Sequence, residues 1–195
     1  YSNNCNLTYV PDDAFENYLE THDANGNIVT LGAANSMGNG IAYDDYVFTN
    51  RITAVTNLDV SNLSIPAPIS TMRGIEDFVA LRNLNLNDNN VTVLDVTQNL
   101  QLEDLRFTRN AIGTVNLTQN TALKVLYADD NQLTTIDVTQ NLALEIVYCG
   151  KNQLNSVDVS QNTNLHTLVV DNNLLTAINV SNNLLLQTLI ADYNN

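Results

Sequence analysis

The stretch LRNLNLNDNNVTVLDVTQNLQ, residues 81–101, is the first of five consecutive copies of one 21-residue repeat. No insertion separates the copies, and a half copy, LQTLIADYNN, occupies residues 186–195. The remaining full copies begin at Leu102, Leu123, Leu144 and Leu165. A fixed period of this length is the sequence signature of a solenoid, in which each repeat forms one coil and packs only on its neighbours.

Each repeat consists of two similar halves. Apolar residues at repeat positions 1, 4 and 6 and Asn at position 9 recur as apolar residues at positions 11, 14 and 16 and Asn at position 19. The alternation within each half is strand spacing, because successive side chains of a strand point to opposite faces. The sequence therefore predicts a mainly β fold, a solenoid with two short parallel β-strands per coil and about 4.8 Å between coils.

The two Asn positions form columns along the predicted stack. An amide side chain can donate and accept hydrogen bonds, so it can satisfy turn backbone groups that a strand ladder leaves open. We therefore interpret both columns as structural rather than as ligand-binding. Their members are Asn89, Asn110, Asn131, Asn152 and Asn173, and Asn99, Asn120, Asn141, Asn162 and Asn183.

The pattern LxxLxLxxN that opens each repeat resembles the leucine-rich repeat, in the variant whose second, similar half replaces the helical side. The resemblance covers residues 81–195 and implies a leucine-rich repeat solenoid. Departures are small: Val147 replaces Leu at position 4, and Ala128, Cys149 and Ala191 occupy position 6.

The N-terminal part, residues 1–51, is predicted to cap the solenoid, as terminal coils require. PDDAFENYLET has Pro and acidic residues at the start of a short helix. Its apolar residues Ala14, Phe15, Tyr18 and Leu19 have the spacing of one buried stripe. DANGN, residues 23–27, is a turn by composition, with calcium binding as the alternative, although the spacing of an EF-hand loop is absent.

We place the solenoid at residues 52–195, with an irregular first coil over residues 52–80 and regular repeats over residues 81–195. Pro66 and Pro68 exclude a central strand from part of that first coil.

The segments TYVPDDAFENYLE, VFTNRITAVTNLDVS and GIEDF together are similar to the opening of secreted leucine-rich repeat proteins from Bacteroidota. That resemblance implies an extracellular or cell-surface location and a binding role.

Charge and composition exclude several partners. The net charge is −14, from 21 acidic and 7 basic residues, so nucleic acid and anionic membrane surfaces would be repelled. No apolar run reaches the roughly 18 residues of a membrane span, and we expect no membrane insertion.

The sequence does not indicate catalysis, and we predict that the protein is not an enzyme. His22 and His166 are too far apart to cooperate, and no nucleophile-elbow, zinc-protease or phosphate-loop motif occurs. We expect no metal and no cofactor. Cys5 and Cys149 should be several coils apart, so both thiols are predicted to stay unpaired. The alternative, a hydrolase, would require two close carboxylates in a cleft.

The outward positions 3 and 5 of the first half-repeat carry the candidate binding site. They are polar in the first two repeats, then apolar and aromatic, with charged residues around them. Because large exposed apolar patches usually mark interaction sites, we predict a protein partner on this face. The alternative is a polysaccharide stacked on Tyr127 and Tyr148. The predicted site, named the tyrosine face below, consists of Arg106, Val125, Tyr127, Asp129, Ile146, Tyr148, Lys151, Val169, Asp171 and Ile190.

The end of the array raises a separate expectation. Leu186 and Leu189 are inward residues of the half repeat, and no further coil follows them in the sequence. Terminal coils need shielding, and an open strand edge can pair with another chain. We therefore expect this end to be covered by further repeats or by another chain.

Overall fold

The computed structural model describes residues 6–63 and 67–195. In chain order, its elements are β1 (Leu7–Tyr9), α1 (Asp13–Thr21), β2 (Tyr46–Phe48), α2 (Thr49–Ile52), β3 (Asn57–Asp59), a 3-10 helix (Ile75–Asp77), β4 (Asn83–Asn85), β5 (Asp104–Arg106), β6 (Val125–Tyr127), β7 (Ile146–Tyr148), β8 (Thr167–Val169) and β9 (Thr188–Ile190).

Strands β3 to β9 form one parallel sheet in sequential order. The register pairs equivalent repeat positions: Leu105 lies opposite Leu126, and Leu126 opposite Val147. The central residue of each of these strands points inward and is buried, except at β9, where Leu189 is 41% exposed. The predicted solenoid of stacked coils is confirmed.

The second half of each coil differs from the prediction of a second sheet. Most of its inward residues are buried, as Val96 and Val138 are, whereas Val115, Ile178 and Val180 are half-buried. In the described residues, however, the only bridge between second halves joins Leu94 and Val115. At repeat position 15, Asp or Asn instead accepts a local hydrogen bond from the backbone N–H two residues later, as Asp137 does.

Both Asn columns have the predicted structural role. At position 9, Asn110 Oδ1 accepts the Val91 N–H at 3.0 Å, and its Nδ2 donates to the Leu86 carbonyl at 3.0 Å. At position 19, Asn120 Nδ2 donates to the Val96 carbonyl at 3.0 Å. Each amide therefore ties its own coil to the preceding one.

A left-handed backbone residue follows every regular strand, at repeat position 8. The φ angles lie between 50° and 59° at Asp88, Arg109, Asp130, Lys151, Asn172 and Tyr193. Asp and Asn tolerate this conformation better than other non-Gly residues do. The sequence did not predict this turn, because Arg, Lys and Tyr are not typical turn residues.

The predicted cap helix is confirmed as α1, with its apolar stripe buried. Asp12 is its N-cap, and Oδ1 accepts the N–H groups of Ala14 and Phe15, both at 3.1 Å. Phe15 stacks on Phe78 with ring centroids 6.2 Å apart, which packs the helix against the first coil. The proposed boundary between residues 51 and 52 stays a prediction.

Two acidic residues of α1 are buried, which the stripe did not predict. Glu16 accepts the N–H groups of Asp44 and Asp45 at 3.1 and 3.2 Å. Glu20 accepts the Gly40 N–H at 2.8 Å. Burial raises the pKa of Glu16, and the nearby charges of Asp44 and Glu20 add to the effect. These two carboxylates therefore hold the loop at residues 40–45 against the helix.

Candidate functional site

The sheet register brings the central residues of the tyrosine face together. Tyr127 lies opposite Tyr148 on the neighbouring strand, and their rings stack with centroids 4.7 Å apart and planes at 12°. The Arg106 guanidinium lies 4.8 Å from the centroid of the Tyr127 ring. Asp104 fixes that guanidinium through two hydrogen bonds of 2.8 and 2.7 Å. The result is a continuous stack of Arg106, Tyr127 and Tyr148.

A second row of outward side chains, at repeat position 3, runs beside this stack. Val125 lies opposite Ile146, and Ile146 lies opposite Thr167, where the apolar row ends. In the row that contains the two tyrosines, at repeat position 5, Tyr148 is followed by Val169 and then by Ile190 on the next two strands. The apolar part of the face is therefore centred on β6 and β7.

The expectation of one exposed apolar patch needs correction. Val125, Tyr127, Ile146 and Tyr148 are half-buried, and Val169 is only 6% exposed. Ile190 is the most exposed apolar member, at 40%. Neighbouring strands lie close enough for side chains on one face to cover each other. The face consequently presents ring edges and methyl groups in a packed layer.

The ring geometry contradicts the use of Tyr127 as a sugar-stacking platform. Arg106 on the preceding strand and Tyr148 on the following strand pack against the ring. Stacking on a ligand needs a free ring face, whereas Tyr127 offers its edge and its hydroxyl group.

An acidic flank borders the face where the chain leaves the strands. Asp129 Oδ1 accepts the Gly150 N–H at 2.9 Å. A Cβ atom added to Gly150 would lie 2.5 Å from Asp171 Oδ1 and 3.2 Å from Asp129 Oδ1. The absence of a side chain at Gly150 therefore lets both carboxylates approach the same point. We name Asp129, Gly150 and Asp171 the acidic notch.

The acidic notch belongs to a shallow cavity of about 250 Å³. Burial raises the pKa of Asp129, and the charge of Asp171 adds to this effect, whereas the Gly150 N–H and Lys151 oppose it. The cavity is lined by Thr108, Arg109, Asp129, Asp130, Gly150, Lys151 and Asp171.

The structure gathers all ten predicted site residues on β5 to β9 and the turns that follow them. It adds Asp104, which orients Arg106, and Gly150, which opens the notch. A sequence signal for Gly150 exists, because it occupies repeat position 7, where the other copies have Asn, Thr or Asp.

Two other acidic groups present carboxylate oxygens of the kind that cations bind. The Asp23 carboxylate in DANGN accepts the backbone N–H groups of Asn25 and Asn27, both at 2.9 Å, and the Asn27 amide. These donors lower its pKa, the Asn27 backbone bond first. Asp13, Glu16 and Asp45 have carboxylate oxygens within 4.8 Å of one another, but the Glu16 oxygens already accept backbone N–H groups.

The remaining candidates for reactivity lie away from the face. Cys149 is buried and has no disulfide partner within the described part of the chain, and burial raises the pKa of its thiol. Cys5 lies outside the described residues. His22 stacks on Tyr18 in the cap, with ring centroids 3.9 Å apart. Within residues 6–63 and 67–195, no helix is long and apolar enough to cross a membrane.

The stacked coils, the parallel sheet and the paired Asn columns define a leucine-rich repeat solenoid. No protein-family model and no curated protein matches the sequence. Solved structures do match. The functional domain of InlJ from Listeria monocytogenes has a TM-score of 0.71 and 29% sequence identity, over 97% of this chain and 43% of that one. The chain thus spans less than half of the InlJ domain.

Two further structures share the fold. Internalin C2 from Listeria monocytogenes has a TM-score of 0.62 and 22% identity, over 100% of this chain and 91% of that one. The second is the leucine-rich repeat ectodomain of the receptor kinase GASSHO1/SCHENGEN3 from Arabidopsis thaliana, in complex with CASPARIAN STRIP INTEGRITY FACTOR 2. It has a TM-score of 0.56 and 23% identity, over 62% of this chain and 16% of that one.

Proposed function

We propose that this chain is a protein-recognition module that acts outside the cell or at the cell surface and binds its partner through the tyrosine face. The observation that carries the proposal is the packed apolar and aromatic layer on the outer side of β6 and β7. Tyr and Arg are the residue types most enriched in binding hot spots, and Arg106, Tyr127 and Tyr148 form one rigid stack. A rigid stack loses little side-chain entropy when a partner docks.

The comparisons support this proposal by analogy. The plant receptor ectodomain is a solenoid of the same kind, and its structure is a complex with a second molecule. The proposed location is supported by the resemblance of the opening segments to those of secreted Bacteroidota proteins. Fractionation of the native source would test the location, and recovery of the chain only from the cytoplasm would contradict it.

A site-specific crosslink tests the binding face. The photoreactive amino acid p-benzoylphenylalanine would replace Tyr148 in one variant and Thr135, an exposed residue of the second half-repeat, in the matched control. On illumination in an extract of the native source, we expect an adduct that contains peptides of a second protein, identified by mass spectrometry, with the first variant only. Adducts at both positions, or only with the control, would overturn the proposed face. An adduct whose added mass a glycosidase removes would favour the polysaccharide alternative.

The acidic notch is the observation that bears on the hydrolase alternative, because it brings two carboxylates together. Its cavity is shallow and is lined by charged and polar groups, whereas a glycosidase encloses its sugar between two carboxylates. We therefore propose a non-enzymatic role. Hydrolysis of chromogenic glycosides by the wild-type chain that the Asp129→Asn substitution abolishes would contradict this proposal.

The last strand of the array, β9, is the subject of a separate proposal. The residues of β9 are exposed, and the inward Leu186 is only half-buried. We propose that another polypeptide surface covers these exposed apolar residues. The mass of the chain in solution, together with solvent protection of Leu189, would test that proposal.

A further inference from the structure

We propose that the partner presents a basic polypeptide segment to the tyrosine face. Its apolar side chains pack on Val125, Ile146 and Tyr148, and a Lys or Arg side chain enters the acidic notch. This inference rests on the proposed function, because it specifies the chemistry of the partner for the same surface.

The charge distribution around the face carries the inference. The four ion pairs of the described residues use Arg82, Arg106, Arg109 and Lys124 as their basic members. The acidic members of these pairs are Glu103, Asp104 and Asp88.

In contrast, Asp129, Asp130 and Asp171 have no ion-pair partner in the described part of the chain. Lys151 is the only Lys or Arg after Lys124 in the sequence. The basic groups beside the tyrosine face are therefore mostly neutralised by contacts within the chain, and a surplus of carboxylates remains.

The position of this surplus matches a partner that is apolar at its centre and basic at one side. Tyr148 lies on β7, and Gly150 follows two residues later in the turn. The acidic notch thus adjoins the apolar layer directly. A guanidinium or ammonium group is the polypeptide donor that best satisfies two converging carboxylates through charge-assisted hydrogen bonds.

The same charges disfavour an acidic partner. Placing an anionic surface over unpaired carboxylates costs several kcal/mol in interfaces of this kind. A basic segment gains association rate from the net charge of −14 and specificity from the notch. Long-range attraction and local recognition can be separated by experiment, because the acidic residues of the second half-repeats contribute only to the former.

Fluorescence anisotropy with a defined probe tests the inference. The probe is a short fluorescein-labelled peptide of Leu, Arg and Ser, and its counterpart has Glu in place of every Arg. The notch variant carries Asp129→Asn and Asp171→Asn. Asn87 already occupies the same repeat position, where its Oδ1 accepts the Thr108 N–H at 2.7 Å, so Asn is compatible with the fold there.

The matched control carries Asp137→Asn and Asp158→Asn, which remove the same charge from the second half-repeats. Asn116 and Asn179 already make the equivalent side-chain bond in other coils. We expect the basic peptide to bind the wild-type chain and the acidic peptide not to bind. The notch variant should weaken binding about tenfold or more, and the control less than about twofold.

Each other outcome overturns a distinct statement. Equal weakening by both charge variants would mean general attraction to an acidic protein, and absence of basic-peptide binding would likewise overturn the inference. Equal affinity for both peptides that Tyr148→Ser abolishes would leave the tyrosine face as a docking surface and refute the basic chemistry. Basic-peptide binding that Tyr148→Ser leaves unchanged would refute docking on the tyrosine face itself.

Discussion

Replacement of Asn141 by Ala should destabilise the solenoid through its backbone rather than through its apolar core. Asn141 is fully buried, and its Nδ2 donates to the carbonyl oxygens of Leu117 and Asn120 at 3.0 and 2.8 Å. Each carbonyl keeps one backbone donor, the Asn120 N–H for Leu117 and the Leu123 N–H for Asn120, both at 3.0 Å. Each lost amide bond therefore costs about 0.5–1.5 kcal/mol. The Asn141 Oδ1 atom has no partner of its own, so its removal offsets part of the loss. We expect a decrease of about 1–2 kcal/mol in the free energy of unfolding.

Urea unfolding followed by circular dichroism measures this decrease, with the denaturant slope checked for loss of two-state behaviour. Asn141→Leu is the companion variant, because Leu has the same branched arrangement of four side-chain heavy atoms but no donor. If the lost hydrogen bonds cause the effect, the Leu variant is destabilised as much as the Ala variant. The exposed Asp137→Asn substitution serves as the control and should change stability by less than about 0.5 kcal/mol. Wild-type stability in the Leu variant would refute the reasoning. So would an Ala variant that loses less stability than the control does.

Three further predictions concern single residues of the tyrosine face and its core. Lys151→Asn should stabilise the chain by roughly 0.5–1 kcal/mol in thermal unfolding, because Asn suits a left-handed backbone better, as at Asn172; unchanged or reduced stability would contradict it. The raised pKa of Asp129 means that the folded chain binds this proton more tightly than the unfolded chain. Its contribution to stability is present below the unfolded pKa and is lost as the pH rises through the folded pKa. Asp129→Asn should therefore be more stable than wild type at neutral pH, and the difference should narrow as the pH falls through the acidic range; a difference independent of pH would exclude this cause. The buried Cys149 thiol, whose pKa is raised by burial, should react with a thiol reagent only after unfolding in urea, and rapid labelling of the native chain would show that its coil opens.

The repeat pattern was sufficient to predict the coil and its inward residues. Apolar residues at repeat positions 4 and 6 identify Leu126 as inward and Tyr127, at position 5, as outward. This follows because successive side chains of any strand point to opposite faces. The Asn columns were predictable for a related reason, since a residue that recurs once per coil occupies the same place in every turn. The cap helix followed from local signals alone, namely Pro11 with acidic residues at its start and one apolar stripe.

Several features of the site required the tertiary structure. The sequence places Tyr127 and Tyr148 on one face, but only the stacking of neighbouring coils decides that their rings cover each other. The burial of Glu16 depends on backbone N–H groups of a loop distant in sequence.

The sequence by itself therefore determined the solenoid, the strand in the first half of each coil and the Asn columns, and it predicted the members of the tyrosine face. The tertiary structure decided the absence of a continuous second sheet, the orientation of the rings and the acidic notch at Gly150. The physical reason is that periodicity specifies which way each residue points from its own coil. Contacts between coils depend on side-chain conformations and backbone approaches that arise only when the coils stack.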